Sequence, residues 1–539
     1  MKKMLILVLA MVILLYGCSN SGEVEIKAPF SGGSGTQEDP YQLRTPEDLW
    51  EFAEKIQGEE GAHYAQANYI LTADIDLGGN RQWEPIGGKQ DFEGCLDGDG
   101  YTIRGIVIRY KDPLAGQKET AIGMFRILRG KVQNLTIGNS TLNSDGEAAK
   151  AGMFAGKLIG GTLDNCHTED TVQVSGEYQI GGICGEANKD SVIQNCSNAA
   201  EVTARSNIGC AAGIVSYTSC EITNCSNTGN ITSEGDAAGI ANTAGRSMLN
   251  CTNAGAVSAR SYAAGIVCRF SDGALNTSMN DTTVQISNCT NSGSVTSRED
   301  PAGGIAACAR TGSINVCANS GTVTSAKETG GILGYFQQSV FGTSCEEFTI
   351  ADCSNTGEIT STENYSSGGI CGILYGSTTR IRLVNCSNRG TVHASGEKDV
   401  LVSGAEAGGM VGQASVRTLE MTNCQNAGSV TGYAMSGGMI GHVSPDSNLK
   451  DVSTQLLLTD CKNTGTITVI APGGLKKTIY AGGMVGYCRM VQEEGSTLPV
   501  FAQVVMENCT NEGMLKGDET DVTLMTADLC ANAPIPETP

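Results

Sequence analysis

The sequence predicts an all-β solenoid in which each repeat forms one coil of a β-helix, with a helix closing the N-terminal end. Three observations lead to this fold class: a recurring cysteine motif, a glycine pair between successive motifs, and strand-like periodicity. One such repeat cannot bury its own core, so the coils must be stabilised by stacking on one another. The motif cysteines are Cys166, Cys196, Cys225, Cys251, Cys289, Cys317, Cys353, Cys386, Cys424, Cys461 and Cys509.

The frame of the repeat is constant, whereas its length varies. Successive motif cysteines lie 26 to 48 residues apart, which indicates loops of differing length. The second element is a glycine pair followed by an aliphatic residue, as in Gly303-Gly304-Ile305. Stretches such as Gly321–Thr324 alternate polar and apolar residues, which is typical of strands. Two or three short strands per unit, stacked about 4.8 Å from the next unit, would make one coil.

Asparagine accompanies the cysteine at two fixed positions. It precedes the cysteine in eight of the eleven copies and lies two residues after it in ten. Asparagine tolerates the left-handed backbone that a sharp corner requires, and stacked asparagines can hydrogen-bond along a column. We therefore expect corner and ladder asparagines rather than a ligand site.

The motif cysteines could form disulfides, bind metal or fill an apolar column. In-register side chains on parallel coils hold their Cβ atoms near the coil spacing, beyond the mean of about 3.8 Å in disulfides. The chain has four histidines and no Cys/His cluster with zinc-site spacing. Leu135 occupies the cysteine position in an earlier copy. We interpret the cysteines as a structural ladder of reduced, buried residues; some disulfides remain the alternative.

The first residues indicate export. Residues 1–17 join Lys2 and Lys3 to an apolar run that is too short to span a bilayer, as in a signal peptide. The sequence Leu15-Tyr16-Gly17-Cys18 resembles a bacterial lipobox, although tyrosine is unusual at its second position. This resemblance implies acylation of Cys18 and attachment to a membrane; a plain secretory signal is the alternative. Residues 18–37 are polar and predict a flexible tether.

Residues 38–120 predict an N-terminal cap and the first coils. Thr45 is a typical helix N-cap, Pro46 suits the first turn, and acidic residues follow near the positive end of the helix. An amphipathic helix here would cover the exposed end of the first coil. We expect Trp50, on another face, to pack rather than to bind a ligand. The apolar face consists of Leu49, Phe52, Ala53 and Ile56.

A more specific resemblance lies in the lead-in and the repeats together. The runs NYILTADIDLGG (68–79) and FEGCLDGDGYTIRGIVI (92–108), followed by units such as Gly368–Gly372 with Asn385–Gly390, resemble bacterial surface proteins with GLUG motifs. The repeats would span residues 121–515, with a C-terminal edge and tail over 516–539. The resemblance implies a right-handed parallel β-helix-like solenoid on an exported protein, often beside adhesin or peptidase modules. It implies no particular activity.

The net charge of the chain and the absence of several sequence motifs argue against some classes of function. A formal charge of −22 opposes a basic surface for nucleic acid or anionic lipid headgroups. The zinc-peptidase pattern His-Glu-x-x-His is absent, and the glycine pairs lack the lysine and hydroxyl residue of a phosphate-binding loop. We expect no cofactor, apart from a possible Ca²⁺ site.

Two pairs of carboxylates are the candidates for a metal or catalytic site. Asp74 and Asp76 share one face of a strand by alternation, and Asp97 and Asp99 flank a glycine turn. Paired carboxylates can bind Ca²⁺ or act as acid and base on a polysaccharide, as in the lyases and glycosidases that use β-helices. Ordinary strand-end and turn chemistry explains the same residues more simply.

Aromatic residues recur near the glycine pairs, where stacked rings could hold sugars. Packing along the coil edges explains the same pattern. These residues are Tyr217, Tyr262, Tyr335, Phe336, Tyr365, Tyr375, Tyr433, Tyr480 and Tyr487.

Together these observations predict a lipid-anchored protein of the bacterial cell envelope, exposed outside the cytoplasm. The leading hypothesis is a non-enzymatic adhesion or binding module for extracellular glycans or proteins. A carbohydrate-active enzyme that uses the early carboxylates and a passive spacer are the alternatives. Recognition would lie on the variable loops Phe336–Phe348, Gly376–Arg382, Gly441–Leu458 and Tyr487–Val500.

Overall fold

The computed structural model is a parallel β-solenoid, as the sequence predicts. One coil illustrates its construction. After the glycine pair comes Ala306–Ala309, then Ser313–Asn315 and the short Ala318–Asn319, and Val323–Ser325 leads to the next glycine pair. The structure describes residues 29–110, 120–145, 149–270, 284–338, 345–396, 405–433, 435–444, 455–470, 478–488, 491–492, 499–500, 503–517, 523–527 and 529–530.

Three parallel sheets run along the solenoid. Within the described ranges, sheet 1 has 37 strands, and sheets 2 and 3 have thirteen each. A separate antiparallel hairpin joins Val491–Gln492 to Pro499–Val500.

The strands of sheet 1 are Tyr41–Leu43, Asn68–Leu71, Ile75–Asp76, Cys95–Asp97, Thr102–Arg104, Phe125–Leu128, Lys131–Gly138, Ala155–Leu158, Thr162–Thr168, Cys184–Ala187, Val192–Gln194, Ser197–Asn198, Val215–Thr218, Ile222–Thr223, Ser226–Asn227, Ala241–Ala244, Met248–Leu249, Thr252–Asn253, Val267–Phe270, Gln285–Ser287, Thr290–Asn291, Ala306–Ala309, Ser313–Asn315, Ala318–Asn319, Leu333–Gln337, Glu347–Ala351, Ser354–Asn355, Cys371–Val384, Ser387–Asn388, Val411–Thr422, Gln425–Asn426, Ile440–Val443, Gln455–Thr459, Lys462–Asn463, Val485–Cys488, Gln503–Glu507 and Thr510–Asn511. The strands of sheet 2 are Val107–Tyr110, Thr141–Ser144, Gln173–Gly176, Glu201–Ala204, Ile231–Ser233, Val257–Ala259, Val295–Ser297, Val323–Ser325, Ile359–Ser361, Val392–Ala394, Val430–Tyr433, Ile467–Ile470 and Leu515–Gly517. The strands of sheet 3 are Ala121–Ile122, Lys150–Gly152, Gln179–Gly181, Cys210–Ala212, Asp236–Ala238, Ala263–Ala264, Ala302–Gly303, Thr329–Gly330, Ser367–Gly368, Ala407–Gly408, Met435–Gly437, Thr478–Gly482 and Thr523–Ala527.

A helix covers the N-terminal end, as predicted. Helix α1 spans Pro46–Gln57, and the short helix α2 spans Gly61–Ala65. Thr45 and Asp48 form a reciprocal capping box at the start of α1. The predicted apolar face is buried, and the ring of Phe52 lies 4.6 Å from that of Tyr69 on the first coils. None of the helices in the described ranges is long and apolar enough to cross a membrane.

Trp50 packs rather than presenting an open platform. Its ring lies 5.3 Å from that of Trp83, and the guanidinium of Arg81 stands 4.1 Å above it. Arg81 also pairs with Glu54 at 2.8 Å.

Folding begins before the end of the predicted tether. Phe30 is buried, with its ring 4.8 Å from that of Tyr41, and Ser31 donates a hydrogen bond to Asp48. Residues 29–37 therefore belong to the cap, because Phe30 supplies apolar surface that the first coil needs. The signal peptide 1–17, Cys18 and the tail from 531 lie outside the described residues.

The corner asparagines adopt the predicted left-handed backbone. The residue before each motif cysteine has φ between 51° and 56°, including Val316 and Asp352 where asparagine is replaced. Asn224 donates its side-chain amide to Asn195, and Asn250 donates to Asn224. The corner is thus an exposed ladder of amides.

A second asparagine ladder is buried. Asn319, two residues after Cys317, donates to Asn355 Oδ1 at 2.8 Å and to the carbonyl of Gly321 at 2.8 Å. The same pair of bonds recurs in successive coils from Asn198 to Asn463. Each amide donates to the next coil and to its own turn, which pins the coil register.

Candidate binding cleft

The glycine pairs bring two strands of each coil together. A Cβ on Gly330 would lie 1.9 Å from the carbonyl oxygen of Leu333, so no side chain fits there. A Cβ on Gly372, in the next coil, would lie 2.8 Å from Thr329 N. Sheet 3 and the strands that follow the glycine pairs therefore pack backbone against backbone in these coils, whereas around the cavity the small side chains of Ala238, Ala264, Cys268 and Ala307 fill the junction. Outward side chains from both rows line the mouth of this junction, which we call the cleft.

Two columns of side chains face each other across the cleft. Residues of the two columns contact each other along the whole cleft, either within one coil or between neighbouring coils. The first column contains Lys150, Gln179, Cys210, Asp236, Tyr262, Glu328, Ser366, Glu406, Met435 and Tyr480. The second column contains Lys157, Glu186, Tyr217, Thr243, Arg269, Cys308, Tyr335, Ile373, Gln413, His442 and Tyr487.

A cavity of about 280 Å³ opens in the middle of the cleft. Arg269 lies over the ring of Tyr262 at 4.6 Å and donates from Nε to Asp236 at 3.0 Å. These contacts fix the guanidinium plane, as a recognition site requires. The full lining is Tyr217, Thr243, Tyr262, Arg269, Phe270, Cys308, Arg310 and Gln337.

The charges around this cavity leave one cation available. Burial raises the pKa of Asp236, although Arg269 opposes the shift. The carboxylate of Asp236 and the guanidinium of Arg269 neutralise each other at 2.9 Å. Arg310 is exposed and forms no ion pair with any residue in the described ranges. The cavity therefore combines two tyrosine rings with an unneutralised guanidinium.

A buried polar cluster lies further along the same cleft. Glu406 accepts a hydrogen bond from Ser366 Oγ at 2.9 Å, and its other oxygen lies 3.3 Å from His442 Nδ1. Burial would raise the pKa of Glu406, yet the hydrogen bond and charge of His442 outweigh burial and lower it. The other ring nitrogen of His442, Nε2, is buried and has no hydrogen-bond partner among the described residues. Glu406 orients the imidazole, but within the described part of the chain no nucleophile is hydrogen-bonded to His442 Nε2 to complete a triad.

Aromatic rings continue the cleft toward its C-terminal end. The rings of Tyr480 and Tyr487 lie 4.6 Å apart, and His442 lies 5.6 Å from Tyr487. Two coils before Glu406, Glu328 occupies the equivalent position of the first column. Burial raises the pKa of Glu328, and its backbone hydrogen bond and the charge of Lys327 oppose this shift only in part.

The four carboxylates singled out in the sequence do not form one site. Asp74 binds the backbone N–H of Thr102 at 2.9 Å and Arg104 at 3.3 Å. Asp76 accepts from the N–H of Gly78. No group of three or more His, Cys, Asp or Glu in the described part of the chain is arranged to hold a metal ion.

Asp97 and Asp99 close a turn on the same early coils. Asp97 accepts from Gln133 Nε2 at 2.6 Å and from Asn134 Nδ2 at 3.0 Å, and it also accepts from the N–H of Asp99. Asp99 adopts a φ of 47°, which suits an aspartate turn. These contacts are the strand-end and turn roles that the simpler interpretation assigns.

The aromatic residues divide between cleft and core. Tyr217, Tyr262, Tyr335, Tyr480 and Tyr487 line the cleft, as the sugar-stacking hypothesis needs. Phe336 does not: it is fully buried with its ring 4.5 Å from that of Phe348, because alternation along Leu333–Gln337 turns it inward. Tyr433 packs against the apolar face of sheet 2, and Tyr365 is 36% exposed. Tyr375 lies beside Gln337 and Ser415 on the large sheet.

One of the predicted recognition loops is a strand. Residues Gly376–Arg382 lie within Cys371–Val384, which pairs with Glu347–Ala351 on one side and Val411–Thr422 on the other. The register with Val411–Thr422 shifts between Gly376 and Arg380, but the strand resumes its pairing with both neighbours from Arg380. Parts of the other three loops lie outside the described residues.

The cysteine ladder lies in the interior and away from the cleft. The motif cysteines are buried, except that Cys509 is half-buried at the last coil. Cys166 aligns with Leu135, as the sequence comparison of the copies suggests. Burial raises the pKa of the Cys166 and Cys353 thiols, which keeps them protonated.

Several cleft residues carry no motif of their own. Asp236, Arg269, Arg310, Glu406 and His442 differ from coil to coil, so no repeated pattern marks them. For all of them except Arg310 the signal is positional: the first column lies two residues before the glycine pair, or the Ala-Gly that replaces it, and the second column lies four residues after it. Aligning the glycine pairs would have found them.

Comparison with known proteins gives partial likenesses. No family model matches the chain. A protein of Evansella cellulosilytica, provisionally named a Gly-rich membrane protein, is 32% identical over 165 residues, covering 30% of this chain and 18% of the relative. Halomucin of Haloquadratum walsbyi is 30% identical over 176 residues, covering 31% of this chain and 2% of the relative. The chain therefore spans less than a fifth of the length of these relatives.

One solved structure is similar over much of its length. It is a Bacteroides ovatus protein, provisionally described as an immunoglobulin A1 protease, that covers 72% of this chain and 88% of its own. The two are 18% identical with a TM-score of 0.27, which is too low to establish a shared fold.

Proposed function

We propose that this protein is a binding module of the cell envelope whose cleft holds an extended glycan. The observation that carries the proposal is the cavity formed by Tyr217, Tyr262, Arg269 and Arg310. The cleft runs from coil to coil along the length of the solenoid, which suits a linear ligand better than a compact one. The cavity is smaller than a drug-sized pocket of about 300–1,000 Å³, and it fits a single sugar ring with its neighbours lying along the cleft.

The chemistry of the cavity favours a sugar that carries an acidic group. Tyrosine faces can stack on the apolar face of a sugar ring. The Arg310 guanidinium can bind a carboxylate through two parallel hydrogen bonds. Arg269 is held by Asp236 and Tyr262 and can donate from its remaining N–H groups. A carboxylate would neutralise the charge of Arg310, which the hydroxyl groups of a neutral sugar cannot do, so we infer a uronic or similarly acidic residue.

The proposed location in the cell envelope is based on the N-terminal sequence. Acylation of Cys18 after removal of residues 1–17 would attach the solenoid to a membrane and present the cleft outside the cytoplasm. Two features support this address: the resemblance to GLUG-motif surface proteins, and the similarity to a relative named as a membrane protein.

A glycan array tests the proposal directly. The chain from Ser19 onward is applied to acidic glycans and to their carboxyl-reduced forms. We expect binding to a class of acidic glycans, with Kd raised about tenfold or more in Arg310→Gln. Arg298→Gln is the matched control, because Arg298 is also exposed but pairs with Glu234 outside the cavity.

Other outcomes of the array would overturn the proposal in different ways. Equal binding to acidic and reduced forms would remove the acidic group from it. A blank array would contradict glycan binding and leave a protein partner or a spacer. Release of shortened sugars from a bound glycan would show the enzyme alternative instead.

A further inference from the structure

Two cysteines outside the ladder approach each other at the C-terminal end. Cys488 ends the strand Val485–Cys488, and Cys530 lies in the last described segment, bridged to Val485. Both are buried, and their sulfur atoms are 3.7 Å apart. Cys530 is opposite Val485, three residues before Cys488, so the two cysteines are not in register.

This offset separates the pair from the ladder. In the ladder each cysteine lies beside its equivalent on the next coil, and its thiol donates to a carbonyl such as that of Asn315 from Cys317. In-register neighbours hold their Cβ atoms at the coil spacing, which disfavours a bond between them. Cys488 and Cys530 are not in-register neighbours, so this spacing does not apply to them, and their sulfur atoms lie 3.7 Å apart.

We propose that Cys488 and Cys530 form a disulfide that fastens the last coil. The Sγ–Sγ bond forms as both thiols lose their protons and two electrons pass to a disulfide oxidant, such as oxidised glutathione or a disulfide oxidoreductase, which is reduced to two thiols. The neighbouring Cys530 thiol and burial raise the pKa of Cys488, so we expect the bond to form while this end is open, before the coil packs. It closes a loop of 42 residues.

The disulfide would make the C-terminal end of the solenoid more resistant to fraying. The N-terminal end has the cap of helix α1, whereas no helix covers the C-terminal end in the described residues. Solenoids open most easily at their ends, because a terminal coil has one neighbour. A cross-link between Cys488 and Cys530 removes the conformational freedom that the opened end would gain.

Peptide mapping of the whole secreted chain tests the proposal. The protein is refolded with oxidised glutathione, alkylated under denaturing conditions and digested without reductant. We expect one cross-linked peptide pair joining Cys488 to Cys530, lost in Cys530→Ser. Cys268→Ser is the control, because Cys268 is also buried outside the ladder but donates to the carbonyl of Ala237.

A second readout does not depend on the variants folding. The oxidised wild-type chain should lose its C-terminal segment to protease several times more slowly than the same chain after reduction. Alkylation of both thiols in the oxidised sample, or equal cleavage rates, would overturn the proposal.

Discussion

The asparagine corner and the glycine cleft lie on different parts of every coil, and they differ in how they use sequence. The corner repeats the same residues in successive coils: an amide side chain at positive φ, a buried cysteine, and a second amide side chain two residues after the cysteine. The cleft repeats only small residues, glycine or alanine, at its junction, while its outward side chains change along the coils. The corner therefore builds the solenoid, and the cleft is free to recognise a ligand.

The difference has a physical cause. A ladder residue must donate to one coil and accept from the other, and a side-chain amide does both. In the cleft, close backbone packing restricts the residue type at the glycines. The residues of the two flanking columns point outward and are not restricted in this way. Substitutions at the corner should therefore change stability, and substitutions in the cleft should change binding.

The largest expected effect on stability is at the buried ladder. Asn319→Ala removes bonds to Asn355, to Gly321 and from Asn291. The Gly321 carbonyl and one N–H of Asn291 lose these partners in the interior, while Asn355 Oδ1 still accepts from the N–H of Gly357. At about 1–3 kcal/mol for each unsatisfied group, we expect a loss of roughly 3 kcal/mol or more in the free energy of unfolding. Denaturant melts of the variant and of the cleft control Thr243→Ala measure the difference. Equal losses would contradict the division of roles.

Val316 offers a gain of stability at the exposed corner ladder. It has φ of 54° and is 52% exposed, so a β-branched residue holds a left-handed conformation without burying its side chain. Val316→Asn relieves this strain and gives Asn288, which already donates to Asn250, a second ladder neighbour. It should raise the free energy of unfolding by about 1 kcal/mol. Val192→Asn is the control, because Val192 is exposed in a regular strand. A gain at Val192 as large as at Val316 would refute the explanation.

Two glutamates at equivalent cleft positions should respond oppositely to pH. Glu406 has a lowered pKa, so it stabilises the fold above the ordinary carboxyl pKa, and this contribution is lost as pH falls through its own lower value. Glu328 has a raised pKa, so its ionisation costs stability at neutral pH, and the cost disappears as pH falls toward the ordinary value.

The corresponding amide variants separate these two signs. At pH 7, Glu406→Gln should lower Tm, and Glu328→Gln should raise it slightly, by less than about 1 kcal/mol in unfolding free energy. The Glu328→Gln difference should shrink as pH falls from 7 toward 4. Melts that shift in the same direction for both variants at pH 7 would contradict the assigned pKa directions.

The smallest expected effect on stability is at the cleft tyrosines. Tyr217 is half-buried at the cavity and forms no part of either ladder. Tyr217→Ala should lower the free energy of unfolding by only about 0.5–1 kcal/mol, while it weakens binding of an acidic glycan about tenfold. Paired melts and binding titrations check both numbers. An unchanged affinity would remove Tyr217 from the site.

The sequence predicts the helix cap and the asparagine corner well, because both depend on residues that are close together in sequence. Thr45 and Asp48 form the cap that their spacing indicates, and the asparagines before the cysteines take the positive φ that a corner needs. The strand through Gly376–Arg382 is missed, because its pairing depends on Glu347–Ala351 and Val411–Thr422, which are distant in sequence.

The cleft is only partly foreseen. The tyrosines near the glycine pairs are visible as a recurring residue type, whereas Arg269 and Asp236 become neighbours only when coils of unequal length are stacked. Phe336 shows the opposite error. It follows Tyr335 directly, and the strand alternation that turns Tyr335 outward buries Phe336.

Hydrogen–deuterium exchange with and without a bound acidic oligosaccharide tests the central claim most directly. If the cleft is the binding face, the ligand should slow exchange in Tyr262–Phe270 and Ala306–Arg310 and leave the corner at Ile222–Thr232 unchanged. Protection at the corner, or none in the cleft at saturating ligand, would contradict the account.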